Sequence, residues 1–209
     1  GGIGMDQFLM VSMFGEFTMS YGGKTITEKS FRSPQLTRIL VYFIINRKRA
    51  ISSQELIDML WTQETGEGAG ALQNLIYRLR KVLAEQLDIG NCIVNSRGSY
   101  YWNEKVVIKT DADEFDILCQ YINHTSSDDK KLELYDALYQ IYKGSYVNKL
   151  NEEQWLLTTQ TYYRSAYLTK MKEYAQLLDK LEKFEELEKI TALVLQIYPL
   201  DDGLEYYYI

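Results

Sequence analysis

Between Gly68 and Asn103 the chain sets an amphipathic helical stretch, GAGALQNLIYRLRKVL, ahead of an apolar run that turns at one glycine, CIVNSRGSYYWN. Leu72, Leu75, Ile76, Leu79, Val82 and Leu83 fall on one stripe when stepped by about 100° per residue, which predicts a helix with that stripe in the core. Geometry then fixes the opposite side. Asn74, Tyr77 and Lys81 point away from the core, with Gln73 and Arg80 on one flank and Arg78 on the other. Cys92–Val94 and Ser99–Trp102 read as strands around the turn Asn95-Ser96-Arg97-Gly98, which puts Arg97 at an exposed tip with Ser99 just behind it. Arg, Asn and Gln can bridge base edges, and Lys and Tyr reach phosphates. Basic helix faces are also common on ordinary protein surfaces, so the helix alone does not separate a nucleic-acid reader from a solvated face.

The preceding segments supply the context. From Phe8 to Ile26 the runs FLMVSMF, EFTMS and KTIT alternate apolar residues between Gly15 and Gly22-Gly23, and predict a small antiparallel sheet. Ser33-Pro34 is a helix start, followed by Leu36, Ile39, Leu40, Phe43 and Ile44 at helical spacing, with the end near Arg47. Ser52 or Ser53 caps a second helix with Glu55 in its first turn, a buried face of Leu56, Ile57, Met59 and Leu60, and Trp61 as its close. Thr62 to Gly70 read as a loop. Sheet, three helices and a basic-tipped hairpin make a winged helix-turn-helix over residues 5–109, in which the third helix enters a groove and the hairpin is the wing.

The second half differs in kind. Residues 1–109 carry 13 Lys+Arg against 10 Asp+Glu, whereas residues 110–209 carry 10 against 19. A phosphate-binding surface thus belongs to the first half, and the acidic half is unsuited to lie along DNA. Asp111 or Asp113 caps a helix bearing Phe115, Leu118, Cys119 and Ile122, and another runs from Asp128 to Tyr142. A long helix begins near Glu152 and carries Trp155, Leu156, Tyr162, Tyr163, Ala166, Leu168 and Met171. Phe184 through Ile197, closing at Tyr198-Pro199, has the pattern of the second helix of a tetratricopeptide unit, and Leu204–Ile209 would open the next. A solenoid stopping there lacks its cap, so residues 110–209 read as a helical, tetratricopeptide-like domain truncated at its C-terminus. Thirteen of the 18 tyrosines lie after residue 109 and are expected to pack the helix pairs.

ISSQELIDMLW, ALQNLIYRLRKVL and SRGSYYW, in that order, resemble the winged helix of OmpR/PhoB-type response regulators. With TDADEFDILCQ opening a helical region directly afterwards, the succession resembles the Streptomyces antibiotic regulatory protein family, in which such a winged helix precedes a bacterial transcriptional activation domain. The resemblance implies a cytoplasmic activator that binds double-stranded DNA at promoter direct repeats, associates as a homodimer or head to tail, and meets RNA polymerase. The chain departs from the family pattern at Gly70 and Tyr77, where basic residues are frequent, at Tyr100, where a second wing glycine is frequent, and at Trp102, where a basic residue is frequent. Each lost charge should lower the salt slope of binding by about one unit.

Other classes find little support. The longest apolar run, Ile39–Ile45, is too short to cross a bilayer, and no membrane partner is expected. The cysteines Cys92 and Cys119 lack a C-x-x-C spacing, which fits a reducing compartment. Gly1-Gly2-Ile3-Gly4 reads as a linker remnant. His124, in the polar stretch NHTSSDD, reads as a loop residue, and the carboxylates at Asp111, Asp113, Glu114 and Asp116 suit a helix N-terminus. Without a phosphate loop or nucleophile elbow, no enzyme activity and no cofactor or metal are expected. The competing expectation is a protein-interaction module whose winged helix no longer binds DNA, which would require Asn74, Tyr77 and Lys81 to be inaccessible.

Overall fold

A computed structural model of the 209-residue chain describes residues 8–61 and 68–197. The chain divides into two compact units, one of residues up to Ser12 with Glu16–Thr110, the other of Met13–Gly15 with the residues from Asp111 onward.

In the first unit, β1 (Leu9–Ser12) buries Leu9 and Val11 and turns Met10 outward. It pairs antiparallel with β2 (Thr18–Tyr21), which pairs with β3 (Lys24–Thr27) across Gly22-Gly23. Both glycines have positive φ, 57° and 82°, as a two-residue type I′ hairpin turn requires. α1 (Pro34–Ile45) starts after Ser33, whose extended backbone rather than a side-chain hydrogen bond sets the entry. β4 (Ile51–Ser52) leads into α2 (Ser53–Leu60), where Ser52 Oγ accepts from the Glu55 amide at 3.0 Å. α3 (Ala69–Leu87) ends at Asp88 in the left-handed conformation. β5 (Ile93–Ser96) and β6 (Ser99–Trp102) form the hairpin, and β7 (Ile108–Thr110) follows.

Several expectations change here. The opening sheet is not purely antiparallel, since β7 joins β1 in parallel and gives the order β3-β2-β1-β7. The wing is a three-stranded sheet, β4-β6-β5, because Ile51 pairs with Tyr100 and Ser52 with Ser99. Gly70 lies in the first turn of α3 rather than in the loop, and Thr62–Glu67 fall outside the described residues. The buried stripe of α3 runs one turn further, to Leu87, while Val82, like Ile57 on α2, is half-buried. Cys92 is buried just ahead of its strand rather than in it.

The second unit pairs α4 (Asp111–His124) with α5 (Asp128–Ile141), and α6 (Gln154–Lys180) with α7 (Phe184–Ile197). Phe14 sits among Phe115, Tyr142, Tyr146 and Tyr163 at centroid distances of 5.0–5.9 Å. Tyr142 stacks on Tyr167 at 4.0 Å and Tyr135 on Tyr174 at 5.2 Å, so tyrosines do pack the helix pairs. Asp111 accepts from the backbone amides of Met13 (2.7 Å) and Phe14 (3.1 Å), which ties that short segment to the start of α4. Burial raises its carboxyl above the ordinary range, and those amides partly offset the rise.

The face of α6 also differs from its sequence pattern. Tyr162 is 58% exposed, while Gln160 and Lys170 are buried with polar partners, Gln160 on the carbonyl of Tyr146 and Lys170 on Asn123 and Glu173. His124 is the last residue of α4, not a loop residue, and its Nδ1 lies 2.7 Å from the Gln120 carbonyl. A histidine there interacts favourably with the negative helix end. Tyr198-Pro199 and Leu204–Ile209 lie outside the described residues. No described helix is long and apolar enough to cross a membrane.

Candidate nucleic-acid interface

The core stripe of α3 decides which of its side chains remain outside. With Leu72, Leu75, Ile76, Leu79 and Leu83 at 4% exposure or less, Gln73, Asn74, Tyr77, Arg78 and Lys81 are left exposed, Tyr77 at 63%. They present amide, hydroxyl, guanidinium and ammonium groups on one helix surface. A B-form major groove, about 12 Å wide, admits a helix carrying such groups.

Arg80 behaves differently. Its Nε and Nη2 both donate to the Ile93 carbonyl on β5, at 3.1 and 2.7 Å, and its side chain is half-buried. Sequence spacing placed it among the phosphate-contacting residues. Its guanidinium fork is turned onto the wing, which links α3 to β5, and we propose that it acts as a brace between them. No periodicity rule could have shown this, because the carbonyl it meets comes from a different element.

The wing tip is set by two features. Arg97 and Gly98 occupy the central turn positions with φ of 53° and 78°, a type I′ turn in which Arg97 takes a left-handed backbone that is costly for any residue with a Cβ. This leaves Arg97 exposed at the tip, and Ser99 half-buried beside it opposite Ser52 and Ser96. The Ser53 amide and Oγ both donate to the Gly98 carbonyl, at 3.0 and 2.9 Å, and pin the turn to the first residue of α2. Ser53 was legible only as a cap candidate, and its contact with the wing carries no sequence signal.

A clamp fixes α1 against α2. Glu55 receives Arg49 through both oxygens, at 2.6 and 3.1 Å, and the Tyr42 hydroxyl at 2.5 Å. The Arg49 hydrogen bond holds the Glu55 carboxyl below its ordinary range against the opposing effect of burial. Burial first, and Glu55 second, push the Tyr42 hydroxyl up to about 12. Tyr100 and Trp102 are core residues, 4% and 3% exposed, and the Trp102 indole donates to the Val106 carbonyl at 2.8 Å. Cys92, just ahead of β5, is buried, and burial pushes its thiol up to about 12. No metal-binding cluster of His, Cys, Asp or Glu occurs among the described residues.

Residues 28–102 match the family model described as transcriptional regulatory protein, C terminal. Among solved structures the chain is similar to Mycobacterium tuberculosis EmbR in complex with a low-affinity phosphopeptide, with a TM-score of 0.73 and 17% identity. That match covers 96% of this chain and 53% of the other, so this chain spans about half the length of the protein it resembles. No curated protein matches.

Proposed function

We propose that this transcriptional regulator, whose residues 28–102 belong to the transcriptional regulatory C-terminal family, is a sequence-specific DNA-binding activator. The observation that carries it is the exposed face of α3, Gln73, Asn74, Tyr77, Arg78 and Lys81, on the same unit as a wing tipped by Arg97. α3 enters the major groove, Asn74 and Arg78 read base edges, and Gln73, Tyr77 and Lys81 position the phosphate backbone. Arg97 and Ser99 meet the flanking backbone. The order of a winged helix followed by helix pairs supports the reading as a Streptomyces antibiotic regulatory protein relative, and hence a bacterial transcriptional activation domain in residues 110–209. It also supports a cytoplasmic protein that binds direct repeats as neighbouring copies and contacts RNA polymerase. The exposure of Asn74, Tyr77 and Lys81 supports this reading over that of a winged helix retired to protein interaction.

The test is binding of Arg78→Ala and Lys81→Ala proteins to the native upstream region across a salt series. Arg78→Ala should cost about 1–3 kcal/mol and relax specificity at one position. Lys81→Ala should weaken all sequences alike and reduce the salt slope by about one. If neither variant weakens binding at moderate salt, α3 is not the reading helix.

A further inference from the structure

We propose that a basic cleft on the outer face of the wing sheet receives the acidic, phenylalanine-tipped turn between α6 and α7 of a second copy of this chain. The cleft encloses about 720 Å³ and is lined by Val94 and Tyr101 together with Arg47, Lys48, Arg49 and Lys105. Glu104 is the acidic residue of its lining, and Arg49 is already paired with Glu55. Lys48 and Lys105 are exposed. The site thus joins an apolar strip to a rim with an excess of positive charge.

The position of the cleft separates it from the DNA face. Val94 and Tyr101 are cross-strand partners that alternate with the buried Ile93, Tyr100 and Trp102, so they lie on the sheet surface opposite those buried side chains. The Ile93–Trp102 pair marks the base of the hairpin and Ser96–Ser99 its tip, about 10 Å apart at about 3.4 Å per residue, and Lys105 lies beyond the base. The lining of the cleft shares no residue with the proposed DNA-contacting set of Gln73, Asn74, Tyr77, Arg78, Lys81, Arg97 and Ser99.

The acidic half of the chain carries a matching knob. Phe184, the first residue of α7, is 59% exposed, a large aromatic surface left in water. Glu182, Glu185 and Glu186 surround it in sequence, all exposed, with Lys183 the one basic residue between them. Glu182 takes a left-handed backbone, φ 57°, which turns the chain sharply from α6 into α7 and projects the segment. An aromatic ring set among three carboxylates complements an apolar strip rimmed by cations. A contact between unlike surfaces is heterologous, so it closes into a ring or continues head to tail.

The experiment is sedimentation equilibrium of the full chain without DNA, with the variants Lys48→Glu/Lys105→Glu and Glu185→Lys/Glu186→Lys. Wild type should associate at low salt and dissociate as salt shortens the Debye length to roughly 3 Å at 1 M. Each double variant alone places like charges together and should weaken association by about tenfold or more. Their equimolar mixture should restore it, because each variant then supplies the surface the other needs. Phe184→Ala should also weaken it, whereas Arg78→Ala should associate like wild type. A wild-type chain that stays monomeric, double variants that associate normally, or a mixture that fails to recover would each overturn the proposal. Because DNA is absent, such a failure leaves the DNA-binding reading standing.

Discussion

Arg80→Met separates a brace from a phosphate contact. Methionine keeps much of the aliphatic stem and its packing but removes the two N–H groups that meet the Ile93 carbonyl at 3.1 and 2.7 Å. Both donors share one acceptor, so they count as one charge-assisted interaction, worth about 1.5–3 kcal/mol when desolvated. The arginine is half-buried and water can reach the freed carbonyl in part, which favours the lower end, about 1.5 kcal/mol. For a unit of this size that corresponds to a fall in Tm of about 6–12 °C. Thermal denaturation by circular dichroism measures the loss, and binding across a salt series measures the charge. The salt slope should stay at the wild-type value, because the lost guanidinium was turned to the wing, while affinity falls modestly as the wing loosens. An unchanged Tm together with a slope reduced by about one would show that Arg80 faces phosphate in the complex and would refute the assignment.

Leu79→Ala, at a fully buried α3 position, should destabilise the first unit by about 2–5 kcal/mol in urea titrations and abolish DNA binding only under conditions where the unit unfolds. Glu55 contributes stability above its ordinary value of 4.5 that is lost as pH falls through its depressed folded value, so Glu55→Gln should flatten the acid limb of stability against pH for the first unit. Asp111 has the opposite sign: its raised folded value means its own contribution grows as pH falls toward 3.8, and in Asp111→Asn that component should vanish while one backbone amide loses its acceptor. Burial pushes the thiols of Cys92 and Cys119 up to about 12 and about 11, so both should resist a thiol-specific disulfide reagent at about pH 8 until the chain is unfolded. Rapid native-state labelling of Cys92 would contradict its 1% exposure.

The α3 stripe was legible because helical burial repeats within a few residues, and Leu72, Leu75, Ile76, Leu79 and Leu83 needed nothing distant to place them. The turn at Arg97-Gly98 was legible for the same local reason. Pairings across the chain were not. β7 joins β1 through Leu9 and Ile108, and no pattern in either segment announces a partner so far away. FLMVSMF reads as one strand, yet only Leu9–Ser12 is β1, while Met13 and Phe14 are counted with the helical unit, Phe14 at the centre of its aromatic cluster. Alternation cannot show that a strand changes unit midway. β4, only two residues long, escaped for want of length.

Tyr100 and Trp102 looked like losses when compared with the family, a missing glycine and a missing charge. Strand alternation sets both inward, where Tyr100 pairs across the sheet with Ile51 and Trp102 closes the hairpin base opposite Ile93. An arginine or lysine at Trp102 would bury a charge under the wing at a cost far above the phosphate contact it would add. The aromatic pair therefore stabilises the hairpin whose tip holds Arg97, rather than subtracting from it. What the substitutions do remove is redundancy: on the proposed interface Arg78, Lys81 and Arg97 are the exposed cations, with Arg80 committed to the wing. If the proposed DNA-binding reading holds, a single copy neutralising so few phosphates should bind weakly at physiological salt, and two copies on adjacent repeats should sum their slopes. The acidic balance of residues 110–209 offers phosphate no compensating charge, so on this reading the proposed contact between copies is a route to tighter occupancy.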